Sequence, residues 1–269
     1  MSKKSSFGLH LSDSALRAVL LSRARPAKPW RSRDGRKIKL KKFIKVGLPE
    51  KVFEHGEILD DKKLLEALNK VKKSLGLSSA FISPFNPSLY HILRRIKIKP
   101  LGFETEPEAA ARSLLNQSQG SSLTKSRSLL DGGTYMLLGI GRLGTLISVI
   151  SAGRPCYVEI LDISSTLISE TVSRGFGAEI FYNQINKHYV LWHTEKGGNQ
   201  IKKIILYGEA PNLAELRDKI ALNMRTEVLL ANVWTNIIES FDEEIPEIPF
   251  DESLGYAAAL GLALKGFEK

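Results

Sequence analysis

The residues with the clearest chemical potential in this chain of 269 residues are glycines that follow a predicted strand. Gly139, Gly141 and Gly144 surround Arg142, and a glycine-rich turn of this kind lets backbone N–H groups approach and hold a phosphate. The run does not match the dinucleotide-binding pattern, because a strand and not a helix is predicted from Thr145 onward. The turn therefore predicts a phosphate contact without specifying a nucleotide.

Other reactive side chains lack supporting context. His188 and His193 are five residues apart, which does not place two metal ligands on one helical face, so we interpret both as surface or capping residues. The single cysteine, Cys156, excludes a disulfide framework and a cysteine-rich metal site. No Ser/His/Asp or Cys/His arrangement is supported. Trp192 and Trp234 are predicted to pack in the core.

The net charge of +10 is concentrated between residues 23 and 45, where eleven basic residues face one acid, Asp34. Alternation of lysine and apolar residues from Lys37 predicts an edge strand protected by its lysines, beside a solvated loop. The alternative is a patch for an anionic membrane surface or an acidic partner. Its residues would be Arg31, Arg33, Arg36, Lys37 and Lys39. Nucleic acid is the least expected partner, because aromatic residues are sparse among these charges.

The segments at the N-terminus and in the middle of the chain argue against insertion into a membrane. The first residues carry two lysines without an apolar segment behind them, so they do not resemble a secretory signal. The most apolar stretch, 135–153, is interrupted by Arg142 and by glycines, which makes it a poor membrane helix. The sequence thus predicts a soluble protein for which any membrane contact is peripheral.

Hydrophobic periodicity predicts the elements that position these residues. In the first half we predict strands at 7–11, 15–21, 37–46, 80–83 and 101–104, and helices at 60–75, 87–96 and from 106. After a Ser/Gly/Gln-rich connector at 117–131, we predict strands at 134–138, 145–150, 156–163, 201–206 and 227–230, and helices at 164–173, 179–194, 213–221 and 254–264. The last helix is rich in small residues, which suits close packing.

The order β-β-β-α-β-α-β-α therefore occurs twice, which indicates an internal duplication. Two such halves, each opening with a tight hairpin, predict an α/β protein with the actin-like ATPase fold, made of two duplicated ribonuclease H-like subdomains. We place subdomain 1 at 1–106 together with the C-terminal helix 253–269, and subdomain 2 at 107–252. In this fold a nucleotide lies in the cleft between the halves.

Short motifs along the chain also carry a family pattern. They are LPEKVFEHGEI at 48–58, KPL with EPEA within 99–109, INKHY at 185–189, WHT at 192–194, IILYGEAPNL at 204–213, EV with ANVW within 227–234, and SLGYAAALGLAL at 253–264. Together these stretches resemble PilM, the actin-like cytoplasmic component of type IV pilus assembly. Two insertions of that family, between 80 and 97 and between 173 and 181, are almost absent here.

The resemblance implies a nucleotide site built from two hairpin turns and an adenosine loop. In the first turn His10 stands where the family has a metal-side aspartate, and Ser12 replaces a glycine. The second turn lacks its aspartate, and Glu209 replaces a glycine in the adenosine loop. The residues of this degenerate site would be His10, Ser12, Ser14, Gly139, Gly141, Arg142, Gly144, Thr145, Gly208, Glu209 and Ala210. We therefore expect no metal and no ATPase activity, with ATP and Mg²⁺ binding left open.

The resemblance also implies a function. The chain would be a cytoplasmic scaffold on the inner membrane that binds the tail of a PilN-like membrane protein, with other platform components and the motor ATPase as further partners. Two alternatives stay open. One is a working actin-like ATP-binding protein, similar to FtsA, that switches or polymerises with ATP. The other is a ribonuclease H-like module that binds nucleic acid.

Overall fold

The computed structural model describes residues 5–23, 38–115, 133–173, 177–194, 198–237 and 246–268. The chain divides into two compact units. The first comprises Met1–Leu129, Val233–Glu247 and Tyr256–Lys269, and the second comprises Leu130–Asn232 and Ile248–Gly255. The predicted connector at 117–131 lies outside the described residues. No helix in these described ranges is long and apolar enough to cross a membrane.

The first unit is built on one five-stranded sheet. In chain order its elements are β1 (Ser5–Leu11), β2 (Ala15–Arg23), β3 (Ile38–Gly47), the short pair β4 (Phe53–Glu54) and β5 (Glu57–Ile58), α1 (Asp61–Leu75), β6 (Ser79–Ser83), α2 (Pro87–Arg95), β7 (Lys99–Phe103) and α3 (Glu106–Leu114). The strand order is β3-β2-β1-β6-β7. The first three strands are antiparallel neighbours, whereas β6 and β7 join in parallel.

The second unit repeats this plan. Its elements are β8 (Thr134–Ile140), β9 (Thr145–Ser151), β10 (Arg154–Leu161), α4 (Ser165–Ser173), α5 (Gly177–Thr194), β11 (Ile201–Gly208), α6 (Leu213–Ala221), β12 (Glu227–Leu230) and α7 (Phe250–Ser253). The strand order β10-β9-β8-β11-β12 and the strand directions match those of the first sheet position by position. The predicted duplication is confirmed.

Local sequence explains how α1 is delimited and which face it buries. The Asp60 side chain accepts hydrogen bonds from the first free amides of the helix, and Gly76 ends it in the left-handed conformation at φ 67°. Only a residue without a Cβ adopts that conformation at little cost. Leu64, Leu68 and Val71 recur at helical spacing, and all three are fully buried in the core of the first unit.

The last helix, α8 (Ala257–Lys265), follows a 3₁₀ turn at Leu254–Tyr256 and packs in the first unit. A Cβ on Gly8 of β1 would overlap the carbonyl oxygen of Ala259, and a Cβ on Gly261 would overlap that of Ala109 in α3. Backbones approach this closely only where side chains are absent. The predicted role of the small residues, close packing, is confirmed.

The helix α3 also belongs to the first unit. The Ser113 hydroxyl donates to the carbonyl oxygen of Ala257 at 2.7 Å, and the Arg112 guanidinium donates to that of Gly261 at 3.1 Å. The boundary that we predicted at 106/107 precedes α3, whereas these contacts with α8 place the helix before the boundary. The difference arises because α3 is held by partners that are distant in sequence.

Candidate functional site

The first candidate turn joins β1 to β2 and is held by its own serines. The Ser12 amide donates to the carbonyl oxygen of Ala15 at 3.0 Å, and the Ala15 amide donates to the Ser12 hydroxyl at 3.2 Å. The hydroxyls of Ser12 and Ser14 lie 3.2 Å apart. These hydrogen bonds stabilise the tight turn, so it does not need a glycine.

His10 lies near the end of β1, with its side chain buried. Its Nε2 is 3.4 Å from the carboxylate of Glu106, the first residue of α3. Its Nδ1 is also buried and has no hydrogen-bond partner among the described residues. The position that the family pattern assigns to a metal-binding aspartate therefore holds an imidazole that faces a carboxylate.

Arg17, on β2 beside this turn, was not among the predicted site residues. It lies opposite His10 in the antiparallel register of β1 and β2, and it is only 1% exposed. Its Nη1 lies 3.4 Å from the Ser12 hydroxyl, and its guanidinium lies 5.8 Å from the ring centre of Tyr256. The available signal was a lone charge within the apolar strand ALRAVLLS.

The buried side chains of the first turn do not suit Mg²⁺. A hydrated magnesium ion requires carboxylate or carbonyl oxygens, whereas the buried side chains here are an imidazole and a guanidinium. Glu106 is the carboxylate beside His10, and it is engaged by that imidazole. Within the described ranges no group of three or more His, Cys, Asp or Glu residues could hold a metal ion. The residues present do not fit the metal that an actin-like nucleotide site employs.

The second candidate turn, between β8 and β9, uses its glycines to pack against protein atoms. A Cβ on Gly139 would lie 2.5 Å from the hydroxyl of Tyr207, so that ring fills the space beside the glycine. The Gly141 amide donates to the carbonyl oxygen of Gly144 at 2.9 Å, which closes the turn. The Thr145 hydroxyl is buried and donates to the carbonyl oxygen of Ile163 at 2.7 Å. Arg142 lies in the same turn and is partly buried.

The predicted adenosine loop begins at the end of β11. Gly208 has φ 107°, and a Cβ there would overlap the backbone of Ile140. The Glu209 amide donates to the carbonyl oxygen of Ile140 at 2.8 Å, which ties this loop to the end of β8. Ala210 is buried. Each unit thus gathers part of the predicted set: His10, Ser12 and Ser14 in the first, and Gly139, Gly141, Arg142, Gly144, Thr145, Gly208, Glu209 and Ala210 in the second.

Our interpretation of His188 as a surface or capping residue is wrong. The residue is buried, and its Nδ1 lies 2.6 Å from the hydroxyl of Tyr157 on β10. Burial lowers the pKa of His188 and raises the pKa of Tyr157. The error arose because sequence spacing along α5 does not show which strand covers the helix. The packing predicted for Trp192 and Trp234 is confirmed, since both are buried.

The predicted basic patch is described only in part. Arg31, Arg33, Arg36 and Lys37 lie outside the described residues. Lys39 is exposed on β3, which is an edge strand as predicted.

Comparisons with solved structures identify the fold. A chain of the PilM–PilN type IV pilus biogenesis complex matches with a TM-score of 0.68 and 14% identity, covering 98% of this chain and 99% of that chain. The fold is actin-like. The ethanolamine utilization protein EutJ from Carboxydothermus hydrogenoformans matches with a TM-score of 0.62, 14% identity and coverage of 98% and 91%. MreB5 of Spiroplasma citri bound to ADP matches with a TM-score of 0.54, 9% identity and coverage of 96% and 95%.

No protein-family model and no curated protein sequence matches the chain. The predicted α/β, actin-like ATPase fold is therefore confirmed by structure and not by sequence similarity.

Proposed function

We propose that this chain is an actin-like scaffold of a type IV pilus assembly platform that binds the cytoplasmic tail of a PilN-like membrane protein. The observation that carries the proposal is the match to a chain of the PilM–PilN complex, which extends over nearly the full length of both chains. The motifs at 204–213 and 253–264 support the same relationship. Other platform components and the motor ATPase are further partners in this proposal.

Calorimetric titration with a synthetic peptide tests the partner. The peptide is the N-terminal cytoplasmic tail of the PilN-like protein encoded in the same genome, and a scrambled peptide of the same composition is the control. We expect saturable binding of the native tail and none of the scrambled one. Equal heats from both peptides would remove the partner from the proposal.

We also propose that the nucleotide site is degenerate and that the chain is not an ATPase. The support comes from the first turn, where the buried side chains are those of His10 and Arg17, and neither is an oxygen ligand of the kind that Mg²⁺ takes. In the second unit, Tyr207 occupies the space beside Gly139. Labelled ATP should be titrated with and without Mg²⁺, and we expect no gain in affinity from the metal. Micromolar, magnesium-dependent binding or phosphate release would contradict this part of the proposal.

The proposed location is the cytoplasmic face of the inner membrane, with peripheral contact through the basic patch. Lys39 on β3 is exposed and has no ion-pair partner among the described residues. Reversing the charge of Arg31, Arg33 and Arg36 should weaken binding to vesicles that contain anionic lipid. Arg225→Glu, which reverses an exposed charge in the second unit, is the control. Unchanged sedimentation of the triple variant with vesicles would discard the patch.

The alternative is a nucleotide-dependent actin-like protein that switches or polymerises. The observation that favours it is the similarity to MreB5, whose solved structure contains ADP. Incubation with ATP and Mg²⁺, followed by high-speed sedimentation and electron microscopy, separates the two proposals. Filaments that form only with nucleotide favour the alternative. Protein that stays in the supernatant both with and without nucleotide favours the scaffold.

A further inference from the structure

Three aromatic side chains form a connected group on the surface of the first unit. Phe85 lies between β6 and α2 and is 65% exposed, and its ring packs edge-to-face on Phe103 of β7 with centres 5.1 Å apart. The ring of Tyr90, on α2, lies 6.4 Å from that of Phe103. The Arg94 guanidinium lies 5.9 Å from the ring centre of Tyr90. We call these four side chains the aromatic row.

The exposure of Phe85 is unfavourable, because a large aromatic ring loses about 25 cal/mol of stabilisation for every Å² that stays in water. Phe85 is among the most exposed large apolar side chains of the described residues. Phe85 packs on Phe103, which lies near Tyr90, and these two further rings are partly buried. Exposed aromatic groups of this kind mark sites where another molecule packs.

Basic residues cluster at the Arg94 end of the aromatic row. Arg94, Arg95, Lys97 and Lys99 are exposed at the end of α2 and the start of β7. None of the four forms an ion pair with an acidic side chain in the described part of the chain. A molecule that covers the rings and extends past Arg94 toward the start of β7 therefore meets positive charge, and negative charge on that molecule would be complementary.

The position of the row also indicates the shape of its occupant. Phe103 lies on β7, which pairs with β6 on one side and has no strand on its other side among the described residues. The free side of an edge strand offers backbone donors and acceptors to an extended chain. Side chains of that chain would then reach the rings beside the edge.

We propose that the aromatic row binds an extended acidic peptide segment of a partner protein, with an aromatic or aliphatic side chain packed on Phe85 and acidic residues facing the basic side chains. A single-stranded nucleic acid is less favoured, since it needs several open ring faces for stacking. Here Phe103 and Tyr90 are only partly exposed, which leaves Phe85 as the exposed ring of the row. The partner that supplies this peptide need not be a pilus protein.

Selection from a display library of random peptides, each about twelve residues long and so able to span β7 when extended, tests the proposal on the full chain. Enriched peptides are then labelled, and their affinities for the wild type and for Phe85→Ser and Arg94→Glu are measured by fluorescence anisotropy. Leu222→Ser and Arg225→Glu are the matched controls, because they likewise replace an exposed apolar side chain with serine and reverse an exposed arginine charge, but in the second unit. Circular dichroism checks that each variant is folded.

We expect the enriched peptides to combine Asp or Glu with Leu, Phe or Trp. Their affinity should fall about tenfold in each aromatic-row variant, as expected for a buried anchor or a close charge pair, and should fall with added salt. The two control variants should bind like the wild type. Three results would overturn the proposal: no enrichment, equal binding to all variants, or displacement of the peptide by a single-stranded oligonucleotide.

Discussion

A buried ion network in the first unit allows a quantitative prediction. The Glu104 carboxylate, whose side chain is 6% exposed, accepts hydrogen bonds from Arg112 at 2.5 and 2.8 Å and another from Lys265. Arg112 also donates to Glu268 at 2.8 Å. These contacts join the end of β7 to α3 and α8, so their loss should loosen both helices.

We predict that Glu104→Gln lowers the free energy of unfolding of the first unit by about 3 kcal/mol. Removing one partner of a buried ion pair costs about 3–5 kcal/mol, because the remaining charge stays buried without compensation. The lower end applies here, since Arg112 keeps Glu268 and the new amide oxygen still accepts a hydrogen bond. At about 1.4 kcal/mol for each factor of ten, amide exchange in α3 and α8 should accelerate about a hundredfold.

The same network predicts a pH dependence. Burial of Glu104 opposes ionisation, but the hydrogen bonds and charges of Arg112 and Lys265 outweigh it, so the pKa of the carboxyl lies below its ordinary value of 4.5. A carboxyl with a depressed pKa stabilises the fold above its ordinary pKa, and this contribution is lost as the pH falls through the folded-state pKa. The difference in stability between the wild type and Glu104→Gln should be constant near neutral pH and should shrink below pH 4.5.

Hydrogen exchange measured by mass spectrometry locates the effect in α3 and α8, and urea unfolding at a series of pH values measures its size. Separate signals for the two units matter, because proteins with two compact units do not always unfold in one step. Glu66→Gln on α1 is the matched control, since that side chain is exposed and unpaired within the described ranges, and it should change stability by less than about 0.5 kcal/mol. A cost for Glu104→Gln as small as that of the control, or one that does not vary with pH, would refute the reasoning.

Three further predictions concern packing and hydrogen bonding. Gly261→Ala should lower the free energy of unfolding by about 3 kcal/mol or more, because the new Cβ overlaps a carbonyl oxygen of α3. In the control Gly47→Ala the new Cβ meets no atom within 4 Å, so stability should be nearly unchanged. Equal melting temperatures of the two variants would contradict this contrast. Tyr157→Phe leaves the buried Nδ1 of His188 without its 2.6 Å partner and should cost about 1–2 kcal/mol in urea unfolding, and an unchanged midpoint would count against that hydrogen bond. Asn86→Ala removes the 2.9 Å cap of α2 and should cost about 1 kcal/mol, measured in the same way, with faster amide exchange at the start of α2; protection equal to that of the wild type would refute it.

The elements were predictable wherever periodicity and end signals agree. Residues 60–75 were predicted as a helix, and α1 follows its cap Asp60 and ends at Leu75. The pattern was sufficient because the apolar spacing and the cap lie within the same few turns of chain. The same holds for the repeated strand order, which follows from short-range alternation and tight turns in each half.

Contacts between residues distant in sequence could not be predicted. The composition of α8 predicted close packing, but it did not predict that Gly261 packs against α3, since 149 residues separate it from Arg112. The domain boundary therefore fell on the wrong side of a helix that looks local in sequence. Contacts of this kind depend on how the whole sheet is assembled, which no short window contains.

The candidate site shows the same limit for side chains. Motif position correctly located the turns, but it did not show that Tyr207 fills the space beside Gly139. Arg17 escaped notice because a single charge in a strand is usually exposed, and its burial follows from the register that sets it opposite His10. His188 was misjudged for the related reason that helical spacing does not identify the covering strand.

The packing of α8 against β1 has a consequence for synthesis on the ribosome. The second unit has all its strands once β12 has emerged, whereas the first unit still lacks the helix that covers Gly8. All strands of the second unit lie within the contiguous stretch Leu130–Asn232, and such a stretch can fold during translation, so the second unit should form its sheet before the first unit is complete. Until residues 257–265 leave the exit tunnel, the apolar face of β1 that α8 later covers stays exposed on the nascent chain. Chaperones that recognise apolar segments can bind β1 throughout that time.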